Sequence, residues 1–296
     1  MMAQVQKASL TWMDGTYPWC WLQGEIVETS SASVSVMDRG FLYGDGLFET
    51  IRIHQGKLFQ WDQHWTRLQT GCDALNMPLF AKKGEWVEHL QALLKKNQTE
   101  QGLARIHVSR GPGPRGYAPS NSATPTRLIT LHRAPTLPED KPVSWSLHTS
   151  RIRTPSFSAI PKWKTGNKLF QILIKKEAMD AGFDDGIVLN ENDHLTETSS
   201  ANLFLIRSNQ LFTPTTECGI LNGTTRQLML RLARSLGLEC SEVPCDLAQL
   251  VSADSVFVTL CSYGLVHIQR VDNRSIPLHP LERTLYQAYL KELNAG

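Results

Sequence analysis

The sequence predicts an α+β fold of two domains, and three observations carry that reading. Segments of strand and helix periodicity interleave with neither type dominating, a proline-rich break separates two halves, and no internal repeat or low-complexity tract organises the chain.

In the first half, residues 19–27 and 46–54 read as strands, and Gln55-Gly56 supplies the reversal before residues 57–60. A helix is expected from Asp62, its N-cap, because Trp65, Leu68, Cys72 and Leu75 recur at spacings of three and four and so share one face. Trp86, Leu90, Leu93 and Leu94 repeat that pattern in residues 85–97, and residues 104–109 alternate as a strand does. The stretch Arg133-Ala-Pro-Thr-Leu-Pro-Glu-Asp-Lys-Pro142 then interrupts regular structure. We therefore divide the chain into an N-terminal domain (1–134), a linker (135–143) and a C-terminal domain (144–296). In the last of these, helices over 167–181 and 225–236 interleave with strands over 186–190, 202–207 and 255–259.

With 296 residues the chain can bury a full core without disulfides. Thirty basic and 28 acidic residues nearly cancel, which leaves no electrostatic footprint for nucleic acid or a membrane surface and favours a small-molecule partner. Six cysteines without CxxC spacing read as reduced thiols of a cytoplasmic protein, and nine histidines without metal spacing predict no metal site. No apolar run is long enough for a membrane span, and residues 1–9 lack the apolar stretch of a signal peptide. Trp12, Trp19 and Trp21 with Tyr17 are expected to pack in the core or against a second subunit.

Four polar features invite a chemical reading. Lys164, in Lys164-Thr-Gly-Asn167, stands at the expected entrance to a helix; taken alone, it is a solvated lysine. Glu197 falls between two expected strands, where the plain reading is a turn glutamate. Gly223, Thr224 and Thr225 precede a helix expected to begin near Arg226; they are either an ordinary cap or a phosphate site made of exposed N–H groups and hydroxyls. Arg67, on the Asp62 helix, is either a surface ion-pair partner or a phosphate ligand.

Their order and spacing, together with Asp38-Arg-Gly-Phe-Leu-Tyr-Gly-Asp-Gly-Leu-Phe-Glu-Thr-Ile-Arg52, resemble the class IV aminotransferases, the fold type IV pyridoxal-phosphate enzymes, from about Leu22 to about Arg274. The resemblance implies pyridoxal 5′-phosphate as cofactor and a cleft between the domains as its site. Lys164 would be the Schiff-base lysine and Glu197 the carboxylate facing the pyridine nitrogen. Arg67, Gly223, Thr224 and Thr225 would hold the phosphate, joined by Ser262 of Thr259-Leu-Cys-Ser-Tyr-Gly264, where Cys261 replaces a more usual hydroxyl residue. It also implies a homodimer. The chemistry suits the residues: a desolvated lysine can lose a proton and act as base at Cα, and a carboxylate at the ring nitrogen keeps it protonated.

Within this family, Ser109-Arg-Gly-Pro-Gly-Pro-Arg-Gly-Tyr-Ala-Pro119 resembles the Arg-Gly-Tyr loop of 4-amino-4-deoxychorismate lyases. Arg115 offers a fork for a carboxylate, and Tyr117, with Tyr43 and Phe48 of the N-terminal signature, completes the expected substrate site; the alternative for Arg115 is a solvated basic loop. The expected reaction converts 4-amino-4-deoxychorismate to 4-aminobenzoate and pyruvate, with transamination of D-amino acids, branched-chain amino acids or R-amines as the alternative. A catalytically silent homologue, with or without cofactor, is the reading from a different class.

Overall fold

The computed structural model describes residues 15–79, 82–119 and 124–295, so the expectations for residues 1–9 and Trp12 lie outside it. β1 (Trp19–Leu22), β2 (Glu25–Glu28), β3 (Gly46–His54), β4 (Lys57–Leu58), β5 (Gly102–Ser109) and β6 (Thr126–His132) form one antiparallel sheet in the order β2-β1-β6-β5-β3-β4. A short helix, α1 (Arg39–Tyr43), precedes β3, and α2 (Trp61–Ala74) and α3 (Lys83–Lys96) separate β4 from β5. The apolar faces read from helical spacing meet here. Leu68 and Cys72 of α2 and Trp86, Leu90, Leu93 and Leu94 of α3 are buried with Ile51, Ile53, Ala104 and Ile106 of the sheet. Each such fully buried large side chain contributes about 1.5–3 kcal/mol.

Two expectations for this half are corrected. The strand over residues 19–27 is a hairpin: Gln23 and Gly24 turn the chain at positive φ (54° and 109°), and the Gln23 amide is clipped to Pro125 and Arg127 of the neighbouring segment. Gln-Gly is not among the usual turn pairs, and that tertiary bracing is what holds it. Asp62 is not the N-cap of α2. Gln60, at φ 56°, leads straight from the sheet into Trp61, which leaves Asp62 in the first turn, ion-paired with Lys83 at 2.6 Å.

The second half is built on β7 (Ser144–Thr154), α4 (Leu169–Asp180), β8 (Asp185–Asn190), β9 (Leu195–Thr198), β10 (Asn202–Arg207), β11 (Gln210–Thr213), α5 (Thr224–Ser235), β12 (Cys240–Glu242), α6 (Leu247–Ser252), β13 (Ser255–Leu260), β14 (Gly264–Val271), β15 (Arg274–Ser275) and α7 (Pro280–Ala295). Its strands run β12-β11-β10-β13-β14-β7-β8-β9, with β15 on β14. One further pair, Glu197 to Asn202, joins β9 back to β10 and closes the path into a ring. Strand alternation explains why β10 is buried on both faces. Leu203 and Leu205 point into the ring with Ile187, Val256 and Val266, whereas Phe204 and Ile206 point outward to α5 and α7, among Leu228, Met229, Tyr286 and Tyr289.

Here α4 starts at Leu169 rather than residue 167, because Thr165 and Gly166 still pair with β3; Lys164 therefore precedes the helix by five residues in an extended segment. Helix α5 begins at Thr224 rather than near Arg226, with Gly223 as its cap, and Glu197 lies within β9 rather than between strands. All six cysteines are free, and no helix among the described residues is long and apolar enough to cross a membrane.

Candidate active site

Lys164 is fixed by its backbone. The Phe48 N–H donates to the Lys164 carbonyl at 2.9 Å and the Gly166 N–H to the Gly46 carbonyl at 2.8 Å, so the lysine segment is laid along the start of β3. That approach needs Gly44, which ends α1 at φ 68°: a Cβ there would stand 2.9 Å from the Asn167 Cβ. The Lys164 Nζ comes to 4.7 Å from the centre of the Phe48 ring. Burial, and next the Arg67 charge, lower its pKa to about 8.

Arg67 projects from α2 to a carboxylate on β3. Its Nε and one terminal nitrogen each donate to Glu49 at 2.7 Å, a two-pronged charge-assisted pair, and its other terminal nitrogen reaches the Asn222 carbonyl at 3.3 Å. His64, one turn earlier, adds Nδ1 to the same carboxylate at 2.7 Å. Burial alone would raise the Glu49 pKa; Arg67 and His64 overrule it and hold the carboxyl down at about 2.

The start of α5 faces this pair. Gly223 offers no side-chain cap, and a Cβ there would collide with the Asn202 Oδ1, so the close approach of α5 to β10 requires glycine. The first N–H groups of a 12-residue helix, with the hydroxyls of Thr224 and Thr225, therefore open on the cavity beside Arg67. Thr259, on β13, lines the same space with a buried hydroxyl that has no partner among the described residues.

Glu197 sits at the ring closure. Its Oε2 accepts from the Leu221 N–H and from the Asn202 side-chain amide, each at 3.1 Å. Burial raises its pKa to about 7, against the Leu221 hydrogen bond and the Lys164 charge, which act to lower it.

These groups line one cavity of about 550 Å³ between the two sheets. It joins Lys164, Glu197, Arg67, Gly223, Thr224, Thr225, Ser262 and Phe48, which are far apart in the chain. The Ser262 carbonyl is tied to Arg52 of β3 at 2.5 Å, which holds that loop against the cavity. Tyr43, Arg115 and Tyr117 do not line it. They form a separate ridge where the Tyr43 hydroxyl accepts from the Gly116 N–H at 3.0 Å, the two tyrosine rings meet edge to face at 5.7 Å, and Tyr117 is 86% exposed.

Sequence reasoning missed Glu49, His64, Asn202 and Arg105; Lys168 was read only as a basic residue after Asn167 of the kind several lyases carry. Glu49 was legible only as a member of the Asp38–Arg52 signature and His64 only as a residue near Arg67; nothing in the spacing said that both would turn to one buried point. Arg105 lies on β5, with its guanidinium 3.8 Å from the centre of the Phe48 ring and the Lys168 Nζ 5.6 Å from it. Both line the cavity, neither has an ion-pair partner among the described residues, and burial lowers the pKa of each. Among the described residues no group of three or more His, Cys, Asp or Glu could hold a metal ion.

Residues 46–271 match the family model described as amino-transferase class IV. A putative branched-chain-amino-acid aminotransferase of Methanocaldococcus jannaschii is 32% identical over 86% of this chain and 88% of its own length. The aminodeoxychorismate lyase of Bacillus subtilis is 28% identical, covering 92% of this chain and 94% of its own. The crystal structure of 4-amino-4-deoxychorismate lyase from Pseudomonas aeruginosa superposes with a TM-score of 0.80 at 30% identity, over 92% of this chain and 98% of that one.

Proposed function

Because this chain belongs to the class IV aminotransferase family, we propose that it is a pyridoxal-phosphate enzyme acting on an amino substrate with two carboxylates, 4-amino-4-deoxychorismate, and releasing 4-aminobenzoate and pyruvate. The donor set fits the cofactor: an anion site at the start of α5 beside Arg67, a lysine of lowered pKa, and a carboxylate placed to meet a ring N–H. When bound, the cofactor supplies an electrophilic carbon for amines and a ring that accepts the electrons of a broken Cα–H bond. Lys164 acts as its covalent holder and then as base: near pH 8 its Nζ is partly neutral and can take the Cα proton. Glu197 holds the proton on the ring nitrogen. Arg67, Gly223, Thr224, Thr225 and Ser262 keep the phosphate, and so the ring, in register with Nζ.

One observation carries the choice of substrate: Arg105 and Lys168, two cations without ion-pair partners among the described residues, gather with Lys164 around Phe48 inside the cavity. Buried cations call for anions, and this substrate brings one carboxylate on its ring and a second on its enolpyruvyl ether. The apolar walls at Phe48, Trp163, Ile174 and Val188 support a second reading, transamination of an apolar amino acid, in line with the M. jannaschii relative.

We further propose a homodimer in which the ridge of Tyr43, Arg115 and Tyr117 serves the partner's cavity. The exposed Phe41, Leu42, Leu169, Ile172 and Leu173 support such a contact. Six free thiols support a reducing, cytoplasmic setting.

A paired assay tests the reaction. The protein with cofactor receives aminodeoxychorismate in one arm, read as 4-aminobenzoate, and D-alanine, L-leucine or an R-amine with a keto acid in the other, read as the keto product. Fast 4-aminobenzoate release, with KM raised about tenfold or more by Arg105→Gln, is the expected outcome; amino transfer without 4-aminobenzoate would replace the lyase by the second reading.

A further inference from the structure

The anchor of the phosphate site contains a histidine that family resemblance did not bring forward. His64 is 2% exposed, and three elements converge on its ring. Nδ1 meets the Glu49 carboxylate of β3 at 2.7 Å, while Nε2 faces the Thr224 hydroxyl of α5 at 3.3 Å and the Cys261 sulfur, from the loop after β13, at 3.9 Å. Arg67 shares the same carboxylate and lines the cavity together with Lys164 and Glu197.

Proton counting then constrains the ring. Glu49 is ionised and can only accept, so Nδ1 carries a hydrogen. In a neutral ring Nε2 is bare and accepts from the Thr224 hydroxyl, the nearer donor at 3.3 Å against 3.9 Å for the Cys261 thiol. Thr224 then presents only lone pairs to an anion at the start of α5. If Nε2 also carries a proton, it donates to the Thr224 oxygen, and the hydroxyl proton is free to point at the anion. Charge leads to the same result. Arg67 and Glu49 cancel, so the anchor is neutral toward a dianion unless His64 is charged. The orphaned Thr259 hydroxyl and the uncapped α5 N–H groups point independently to an anion in this place.

We propose that His64 is a positioning residue that takes up a proton when a phosphate monoester binds at the start of α5, converting Thr224 from a hydrogen-bond acceptor into a donor toward the phosphate and giving the anchor a net positive charge. The proposal rests on the cofactor assignment above. Burial opposes a charged imidazole, while the contacts with Cys261 and Glu49 favour it and raise the His64 pKa above the ordinary imidazole value.

The test is calorimetric titration of the cofactor-free protein near pH 7.5 in buffers of differing ionisation enthalpy. The probes are pyridoxamine 5′-phosphate, which cannot link to Lys164, and pyridoxamine. Proton uptake should accompany the phosphorylated ligand only. Its affinity should fall as pH rises, by up to about tenfold per unit once His64 is neutral in the free protein. Lys164 and Glu197 also titrate in this range, so the quantity read is the difference between wild type and His64→Gln. In that variant a neutral amide N–H serves Thr224: affinity stays within about tenfold of wild type while the phosphate-dependent uptake disappears. His64→Leu should lose both, and circular dichroism confirms that it is folded. The ¹⁵N shift of Nε2 in labelled wild type should move to the protonated position on binding. Tight binding without phosphate-dependent uptake, or an unchanged Nε2 shift, overturns the proposal alone; no binding of pyridoxamine 5′-phosphate by wild type overturns the cofactor assignment with it.

Discussion

Two buried carboxylates serve this site, Glu197 in the cavity wall and Glu49 as the partner of Arg67, and they are driven in opposite directions from the same ordinary value of 4.5. Glu49 is held at about 2 and Glu197 is raised to about 7. Burial penalises both. The difference lies in their partners: Glu49 receives a two-pronged guanidinium and an imidazole, whereas Glu197 receives one backbone N–H and one side-chain amide. Full ionic pairing locks a charge, while dipolar bonds alone leave a group near neutrality, ready to exchange or share a proton. The site thus has a locked anchor (Glu49, Arg67) and a poised side (Glu197, Lys164).

The largest test of that division is Lys164→Ala. It should lower turnover by on the order of 10⁴-fold and abolish the visible absorbance of lysine-linked cofactor, yet leave pyridoxamine 5′-phosphate binding within a few-fold; loss of that binding would mean that the two sides are not separable. Next, Glu49→Gln strands Arg67 beside a neutral amide. Breaking a buried pair costs about 3–5 kcal/mol of stability, measured by denaturant unfolding, and cofactor should dissociate more easily while kcat of the loaded enzyme stays close to wild type.

Glu197→Gln should do the reverse, lowering kcat about 10²–10³-fold with cofactor retained. An equal loss of retention in both glutamine variants would break the comparison.

The smallest effect is on stability against pH in the cofactor-free protein. With its pKa raised to about 7, native Glu197 binds a proton that the unfolded chain releases between pH 4.5 and 7; its contribution therefore falls as pH rises through that window, by up to roughly 3 kcal/mol, and Glu197→Gln should flatten it. Glu49 has the opposite sign: its stabilisation is present above pH 4.5 and lost as pH falls toward 2. Thermal melts of wild type and both variants across pH 3–8 separate the two slopes.

How far the chain itself reveals these features differs by feature. The buried face of α3 was read in full from Trp86, Leu90, Leu93 and Leu94, since spacing on one helix is a local property. Boundaries moved wherever a contact from elsewhere intervened: Thr165 and Gly166 delay α4 by pairing with β3, and Pro125 and Arg127 brace the turn at Gln23. All seven expected cofactor residues line one cavity, whereas Tyr43, Arg115 and Tyr117 stand outside it on their own ridge.

From residue types and order alone come the mixed fold, the family, and Lys164, Glu197, Arg67 and the Gly223–Thr225 turn as candidates, because each is a matter of identity at a position. The tertiary structure decided which carboxylate is locked and which is poised, that His64 joins Arg67 on Glu49, and that Arg105 and Lys168 enter the cavity. Desolvation and charge pairing are sums over groups brought together from distant strands and helices, and a linear spacing carries no term for them.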